Sequence, residues 1–256
     1  MPEEGWYLAL TEGEAAVRSF RRMVRKVPSN PRCKLCYVPF GGIGGKAIRF
    51  QGKRPSRKNP SFCNACFEAA PLGGAEVDVG ILFADVRGYT SIAETEGPTG
   101  TAELMNRFYD LATEVLSKHD GVIDKLVGDQ VMALFVPGFV GPEYVEQTVA
   151  AAEDLLHGVG YGPGESPWLH VGVGIDAGIA YVGNVGSGEV KDFTAIGDPV
   201  NVAARLQALA APGEILMTER VHDLVSDLLP AARELTVILK GKTEPTSARA
   251  VDISAT

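Results

Sequence analysis

The chain has no apolar run approaching the ~18 residues that a membrane span needs. Its opening, Met1 to Leu10, lacks the basic start and apolar stretch of an export signal. Both absences predict a cytoplasmic chain with no membrane partner. Cysteine is missing except between positions 33 and 66, where all four copies fall, and no internal repeat is present. Charge of one sign is scarce in each half. Residues 1–76 carry 13 Lys and Arg against 6 Asp and Glu, and residues 77–256 carry 11 against 26, within a net charge of −8. With 45% hydrophobic and 22% charged residues over 256 positions, the composition excludes wholesale disorder. It allows one good-sized domain and a small appendage.

The charge and cysteine asymmetry predicts two modules with different tasks. The small-residue stretch Ala69-Ala70-Pro71-Leu72-Gly73-Gly74 sets the boundary: residues 1–70 as an N-terminal module, 71–76 as linker, 77–252 as the main domain. The first module opens with an expected helix over about Glu12 to Lys26, followed by an irregular Gly/Pro-rich run to about Pro60. That run is too polar and interrupted to bury a core alone, so a metal would supply the missing stability.

From Val77 strands and helices alternate. Val79 to Ala84 reads as a buried strand and Thr99 to Lys118 as a helix, with Leu104, Phe108, Leu111 and Val115 at helical spacing. Val122 to Val127 and Gln130 to Phe135 flank Gly128-Asp129, a hairpin signature. A helix from Pro142 follows, then a strand over Leu169 to Asp176 with a hairpin partner at Gly178 to Val182. Pro199 to Leu209 and Thr218 to Leu228 read as helices, and Glu214 to Met217 and Leu235 to Leu239 as strands. This order predicts an α+β fold, a ferredoxin-like βαββαβ sandwich with additions.

Cys33-Lys34-Leu35-Cys36 and Cys63-Asn64-Ala65-Cys66 are two C-x2-C pairs separated by 26 residues. Each pair presents two thiolates from a tight turn, and together they close a tetrahedral shell with no open position, a structural, zinc-ribbon-like site. One Zn2+ per chain is the expectation, and an iron–sulfur cluster is the alternative that sequence does not separate from it. Between the pairs, Lys46, Arg49, Lys53, Arg54, Arg57 and Lys58 accompany Phe40 and Phe50. They read as a solvated face, or one docking on the acidic half, rather than a nucleic-acid surface.

Asp85 ends the first predicted strand and Asp129 sits in the hairpin. The topology makes these strands neighbours, so two carboxylates separated by 44 positions can converge. Paired carboxylates beside a glycine turn fit two divalent ions on a nucleoside triphosphate. The N–H groups of Val86, Arg87, Gly88, Tyr89 and Thr90, entering a helix, would cradle phosphate.

Four segments carry a family resemblance. Phe83-Ala84-Asp85-Val86-Arg87-Gly88-Tyr89-Thr90 resembles the first metal motif of the class III nucleotidyl cyclases, whose core is shared with polymerase palm domains. Ile123 to Phe135, containing Asp124-Lys125-Leu126-Val127-Gly128-Asp129, resembles the second. Asp192 to Leu206, with Thr194, Asn201 and Arg205, resembles the third, and Leu239-Lys240-Gly241-Lys242 the C-terminal phosphate-contacting segment. The resemblance covers about Val77 to Val251 and leaves residues 1–70 outside.

It implies an adenylate cyclase converting ATP to 3′,5′-cyclic AMP and pyrophosphate, a lyase using two Mg2+ or Mn2+ per site. Asp85 and Asp129 would hold the ions, Asn201 would orient the ribose, and Arg205 would stabilise charge on the α-phosphate. Lys240 would contact the terminal phosphates. Lys125 and Thr194 match the base-selecting pair: a Lys donor suits adenine N1, where guanine presents an opposing N–H. Thr194 stands where many relatives carry Asp, a combination typical of a bacterial subclass with proposed bicarbonate responsiveness. Asp176 stands where many carry His. The resemblance also implies a two-fold, head-to-tail homodimer with sites at its interface. Cyclic GMP formation is the same-class alternative. A catalytically weak nucleotide-sensing adaptor with a zinc-dependent binding module is the other, and in either case an unidentified regulatory partner of the N-terminal module is expected.

Overall fold

A computed structural model describes residues 3–12, 31–56, 59–187, 190–229 and 232–253. The central sheet has eight strands: β1 (Gly73–Val86), β2 (Val122–Val127), β3 (Gln130–Phe135), β4 (Val171–Ser187), β5 (Val190–Ile196), β6 (Glu214–Thr218), β7 (Arg233–Val237) and β8 (Thr246–Asp252). Their order is β2-β3-β1-β4-β6-β8-β7, with β5 paired to β4 off this path. Only the β4–β6 pair is parallel among them. Helices α4 (Tyr89–Lys118) and α6 (Tyr144–Gly158) connect the strands so that β1-α4-β2-β3-α6-β4 forms the expected βαββαβ unit. The remaining helices among the described residues are α1 (Glu3–Thr11), α2 (Gly42–Phe50), α3 (Asn64–Ala69), α5 (Pro137–Val140), α7 (Asp198–Leu209) and α8 (Glu219–Val225).

Strand periodicity divides β1 between two cores. Leu82, Ala84 and Val86 join the helix-covered face with Phe108, Leu155 and Val221. Val77, Val79, Ile81 and Phe83 face the other way, where Trp6, Leu10, Phe40, Phe62 and Phe67 of the N-terminal segment cover them. The module therefore shares the core of the main sheet instead of building one of its own.

Several expectations need correcting. The helix expected over 12–26 falls, after Glu12, outside the described residues, while the helix at Glu3–Thr11 was not anticipated. Part of the run expected to be irregular is α2. Gly45 lets that helix cross Phe40, because a Cβ there would strike the Phe40 carbonyl. Residues 73–76, expected as linker, are already strand, paired with 181–184.

The turn expected after Asp176 is absent. β4 runs unbroken because β1 pairs with it in continuous register from Gly73↔Asn184 to Val86↔Val171, and its hairpin partner is β5. Gly178 makes room for Pro199 and Arg220 instead of turning the chain. β7 ends at Val237, and β8 is an additional strand. α4 is broken at Gly97 (φ 68°, ψ 175°) beside Pro98, which explains why its sequence signal starts only at Thr99.

α7 lies directly on the backbone of β4. A Cβ on Gly174 would collide with Gln207 N and Ala203 O, and one on Gly172 with the Arg87 guanidinium. Among the described residues no helix is long and apolar enough to cross a membrane.

Candidate active site and thiolate cluster

Asp85 lies at the end of β1, opposite Gln130. Asp129 lies in the turn beside Gly128, whose φ of 64° suits glycine. The turn is anchored by Val86 N–H donating to the Asp129 carbonyl at 3.1 Å and by Tyr109 Oη donating to the Gly128 carbonyl at 2.6 Å. Burial, then the charge of Asp129, push the Asp85 carboxyl above the usual carboxylate range, against the pull of Arg87 and Gln207. Arg87 Nη1 stands 3.3 Å from Asp85 Oδ2, Gln207 Nε2 donates to the same oxygen at 3.0 Å, and Arg87 Nη2 donates to the Gln207 carbonyl. Two adjacent carboxylates with one partly matching guanidinium leave a deficit of positive charge, the chemistry of a divalent-cation site. The donor set fits Mg2+ or Mn2+.

Of the five N–H groups expected to cradle phosphate, two are engaged within the chain. Val86 N–H is spent on Asp129, and Arg87 N–H donates to the His170 carbonyl at 2.7 Å. That leaves Gly88, Tyr89 and Thr90 at the start of α4, with Gly88 left-handed at φ 74°. A cleft of about 470 Å3 opens here, lined by Tyr89, Pro98, Met105, Asn106 and Gly128 among others.

A second cluster lies on β2 and β5. Lys125 Nζ donates to Thr194 Oγ1 at 3.1 Å and to Asp124 Oδ1 at 2.9 Å, and Thr194 Oγ1 donates to Asp124 Oδ2 at 2.5 Å. The Asp124 side chain is fully buried, whereas that of Lys125 is 45% exposed. Burial pushes Asp124 above the usual range, opposed by its bonds to Thr194 and Lys125. The resemblance singles out Lys125 and Thr194; Asp124, which ties them together, was missed, as were Gln207 and the side-chain role of Arg87.

α7 carries Asn201 and Arg205. Asn201 is exposed and donates from Nδ2 to the Gly197 carbonyl at 3.2 Å. Arg205 lies by the turn containing Lys240, since a Cβ on Gly241 would stand 3.5 Å from its Nη2. Lys240 is exposed in that turn rather than at a strand end, and neighbouring Lys242 pairs with Asp198 at 2.6 Å. The helix presents Asn201 and Arg205 on a different face from Gln207. Gln207, two positions on from Arg205, is turned about 200° from it and closes on Asp85. The chain thus gathers Asp85 with Asp129, and Lys125 with Thr194, but presents Arg205 away from its own carboxylates.

The four cysteines meet. Their sulfurs lie within 4.8 Å of one another, with Cys36 and Cys63 Sγ 3.7 Å apart and no disulfide among them. Ligands about 2.3 Å from a tetrahedral zinc stand roughly 3.8 Å apart, so the cluster fits such an ion. Cys33 and Cys36 sit in a turn completed by Tyr37 at φ 61°, and Cys63 caps α3 with Cys66 in its first turn. Backbone N–H groups donate to sulfur: Cys63 N to Cys33 Sγ at 3.2 Å and Cys66 N to Cys63 Sγ at 3.4 Å. Hydrogen bonds from Cys36 and Cys66 pull the Cys33 thiol far down. The bond to Cys33 pushes Cys36 up to about 12, and Cys66 rises also. Crowded sulfurs ionise together only around a cation. Of the basic residues between the pairs, Lys46, Arg49 and Arg54 are exposed and Lys53 is half-buried; Lys34, inside the first pair, pairs with Asp120 of the main domain. Phe40 is buried and Phe50 is exposed; Arg57 and Lys58 lie outside the described residues.

Residues 75–247 match the family model of the adenylate and guanylate cyclase catalytic domain. An uncharacterized protein of Mycobacterium tuberculosis is 32% identical over 162 residues, 62% of this chain and 29% of that protein. The chain spans 29% to 38% of the length of the curated relatives it matches. The guanylyl cyclase Cya2 superposes with a TM-score of 0.64 at 25% identity, covering 70% of this chain and 94% of that one. The adenylyl cyclase CyaB from P. aeruginosa gives 0.55 at 26%, covering 69% and 95%.

Proposed function

We propose that this chain, which belongs to the family of adenylate and guanylate cyclase catalytic domains, cyclises ATP to 3′,5′-cyclic AMP and releases pyrophosphate. Membership makes it a nucleotidyl cyclase; the choice of base is our reading. One observation carries it, the Asp124–Lys125–Thr194 cluster. The Thr194 proton is committed to Asp124 and one Thr194 lone pair to Lys125. What remains is a lone pair that accepts from the adenine amino group, beside a Lys125 proton for adenine N1. Guanine would set its O6 against the lone pair and its N1–H against the ammonium, two mismatches in one half-buried site.

In the reaction the ribose 3′-oxygen attacks the α-phosphorus in line, its proton leaves, and the bond from the α-phosphorus to the bridging oxygen of pyrophosphate breaks. Asp85 and Asp129 would hold two Mg2+ or Mn2+; when bound, such ions neutralise the triphosphate and acidify the attacking hydroxyl. Asn201 orients the ribose and Lys240 meets the terminal phosphates. Arg205 supplies a permanent forked cation to charge building on the α-phosphate. No covalent enzyme intermediate is needed, so positioning carries the rate.

The opposed faces of α7 support a two-fold, head-to-tail homodimer. With Gln207 committed to its own Asp85, Arg205 serves a partner's carboxylates, and each interface site draws on both chains. The four-cysteine site would hold one structural Zn2+ per chain; an iron–sulfur cluster is the alternative, told apart by elemental analysis. Purified chain given Mg2+ or Mn2+ with ATP or GTP tests the reading: cyclic AMP as the main product supports it, and preferential cyclic GMP overturns the base assignment.

A further inference from the structure

The strands that carry the base-selecting residues are not paired with each other. β2 is a sheet edge bonded to β3, and β5 is bonded to β4. Lys125 and Thr194 therefore meet across a gap between two sheet margins. One short stretch of the N-terminal module spans that gap from beneath. Asn59 donates from Nδ2 to the Ile123 carbonyl at 2.9 Å, beside Asp124 and Lys125. Its Oδ1 accepts the Ser61 N–H at 3.1 Å, which fixes the orientation of the amide. Phe62, 1% exposed, sets its ring edge-on to Phe193, the residue before Thr194, with centroids 5.1 Å apart. Phe139 closes the aromatic group at 6.1 Å from both.

The same stretch is tied to the thiolate cluster. Cys63 follows Phe62 and its N–H donates to Cys33 Sγ at 3.2 Å; the Ser61 carbonyl accepts the Lys34 N–H at 2.9 Å, inside the other C-x2-C pair. Residues 59–62 are thus a strut between the metal-ligating sulfurs and the two base-selecting strands.

We infer that the four-cysteine site governs nucleotide choice: a thiophilic metal ion held there locks the Asn59–Phe62 strut, which sets the spacing between Lys125 and Thr194. Neither Asn59 nor Phe62 touches nucleotide; both are positioning residues. The inference rests on reading Lys125 and Thr194 as the base-selecting pair. A strut that loosens widens their gap and weakens adenine recognition, while Asp85 and Asp129, held by other contacts, keep their arrangement.

The test uses the full chain loaded with Zn2+, stripped with a chelator and resupplied with Mg2+, and reloaded with Zn2+. Alongside go Asn59→Ala and Phe62→Leu, which keep all four cysteines. The ratio of kcat/KM for ATP to that for GTP should fall roughly tenfold in the stripped chain and in both variants, as for loss of a buried hydrogen-bond partner. It should return on reloading the stripped chain, and KM for ATP should move more than kcat. Independently of activity, hydrogen exchange on removing Zn2+ should quicken at 122–126 and 190–196 but not at 81–85. If the stripped chain unfolds, the two variants decide. Lys125→Ala separates the two ideas. An unchanged ratio in Lys125→Ala overturns the base-selecting reading. A relaxed ratio there, with wild-type discrimination in Asn59→Ala and Phe62→Leu, overturns the strut.

Discussion

At the tip of β1, Asp85 is crowded by a second carboxylate, and the cation beside it, Arg87, is also drawn to the Gln207 carbonyl. In β2, Asp124 is more deeply enclosed, yet both its oxygens are met, one by Lys125 and the other by Thr194. Two half-sites made from similar residues are therefore balanced in opposite senses. The first is left short of positive charge and calls for cations. The second is internally satisfied, and in the proposed reading its remaining donor and acceptor serve recognition. Buried charge is expensive unless paired, so what distinguishes these sites is which partners the protein leaves to be supplied from outside.

The largest expected effect breaks the open end. Asp85→Ala or Asp129→Ala should lower kcat by more than ~100-fold, because cation-supported charge neutralisation is lost, while equilibrium preference for adenine over guanine analogues persists. Steady-state cyclic nucleotide assays with titrations of fluorescent analogues measure both. Next, Lys125→Ala breaks the closed end. It should cut ATP/GTP discrimination by about tenfold or more by leaving Thr194 and Asp124 with unmet partners; paired kcat/KM measurements with saturating Mg2+ check it.

A third test sharpens the contrast by placing the two failures on different chains. Asp85→Ala and Arg205→Ala, each inactive alone, are mixed in equal amounts. About half the dimers should be mixed with one intact site each, restoring roughly a quarter of wild-type activity. No recovery, with subunit exchange shown separately, would mean each site is built within one chain.

The smallest effect uses Asp176 as a control remote from both ends. Burial raises its carboxyl to about 6, against bonds from Thr218 and the Ala177 N–H and the charge of Arg220. A value raised on folding contributes stability that is whole below the ordinary carboxylate range and lost as pH rises through about 6. Asp176→Asn keeps an oxygen for both donors and should remove that loss. The variant should match wild type near pH ~4 and exceed it at pH ~7 by on the order of 1–3 kcal/mol, read from urea unfolding curves.

Much of this was legible in local sequence. Gly128-Asp129 between two apolar runs marks the β2–β3 hairpin, and the C-x2-C pairs mark a thiolate cluster, because each signal is complete within a few residues. Asp124 was not legible, since in a strand it reads as one more alternating position and its partner Thr194 is 70 residues away. Gln207 looks like an ordinary helix residue until α7 is laid on β4. Asn59 and Phe62 read as loop filler, because the strands they brace come later in the chain. The false turn after Asp176 arose where glycine provided clearance for a neighbouring helix rather than a bend.

The clearance at Gly174 has a mechanical side. Where α7 crosses Gly174 it rests on bare peptide with no side chain between to repack, while Val202 and Leu206 pack on Leu216 and Ala248 alongside. A change in the twist of β4 at that point has little room to be absorbed before it reaches the helix. Gln207 sits on the sheet side of the helix and Asn201 and Arg205 on the outer side, so a tilt that slackens the grip on Asp85 would also re-aim the groups that the proposed dimer offers across its interface. The two sites of a dimer built this way would be geared together through their sheets.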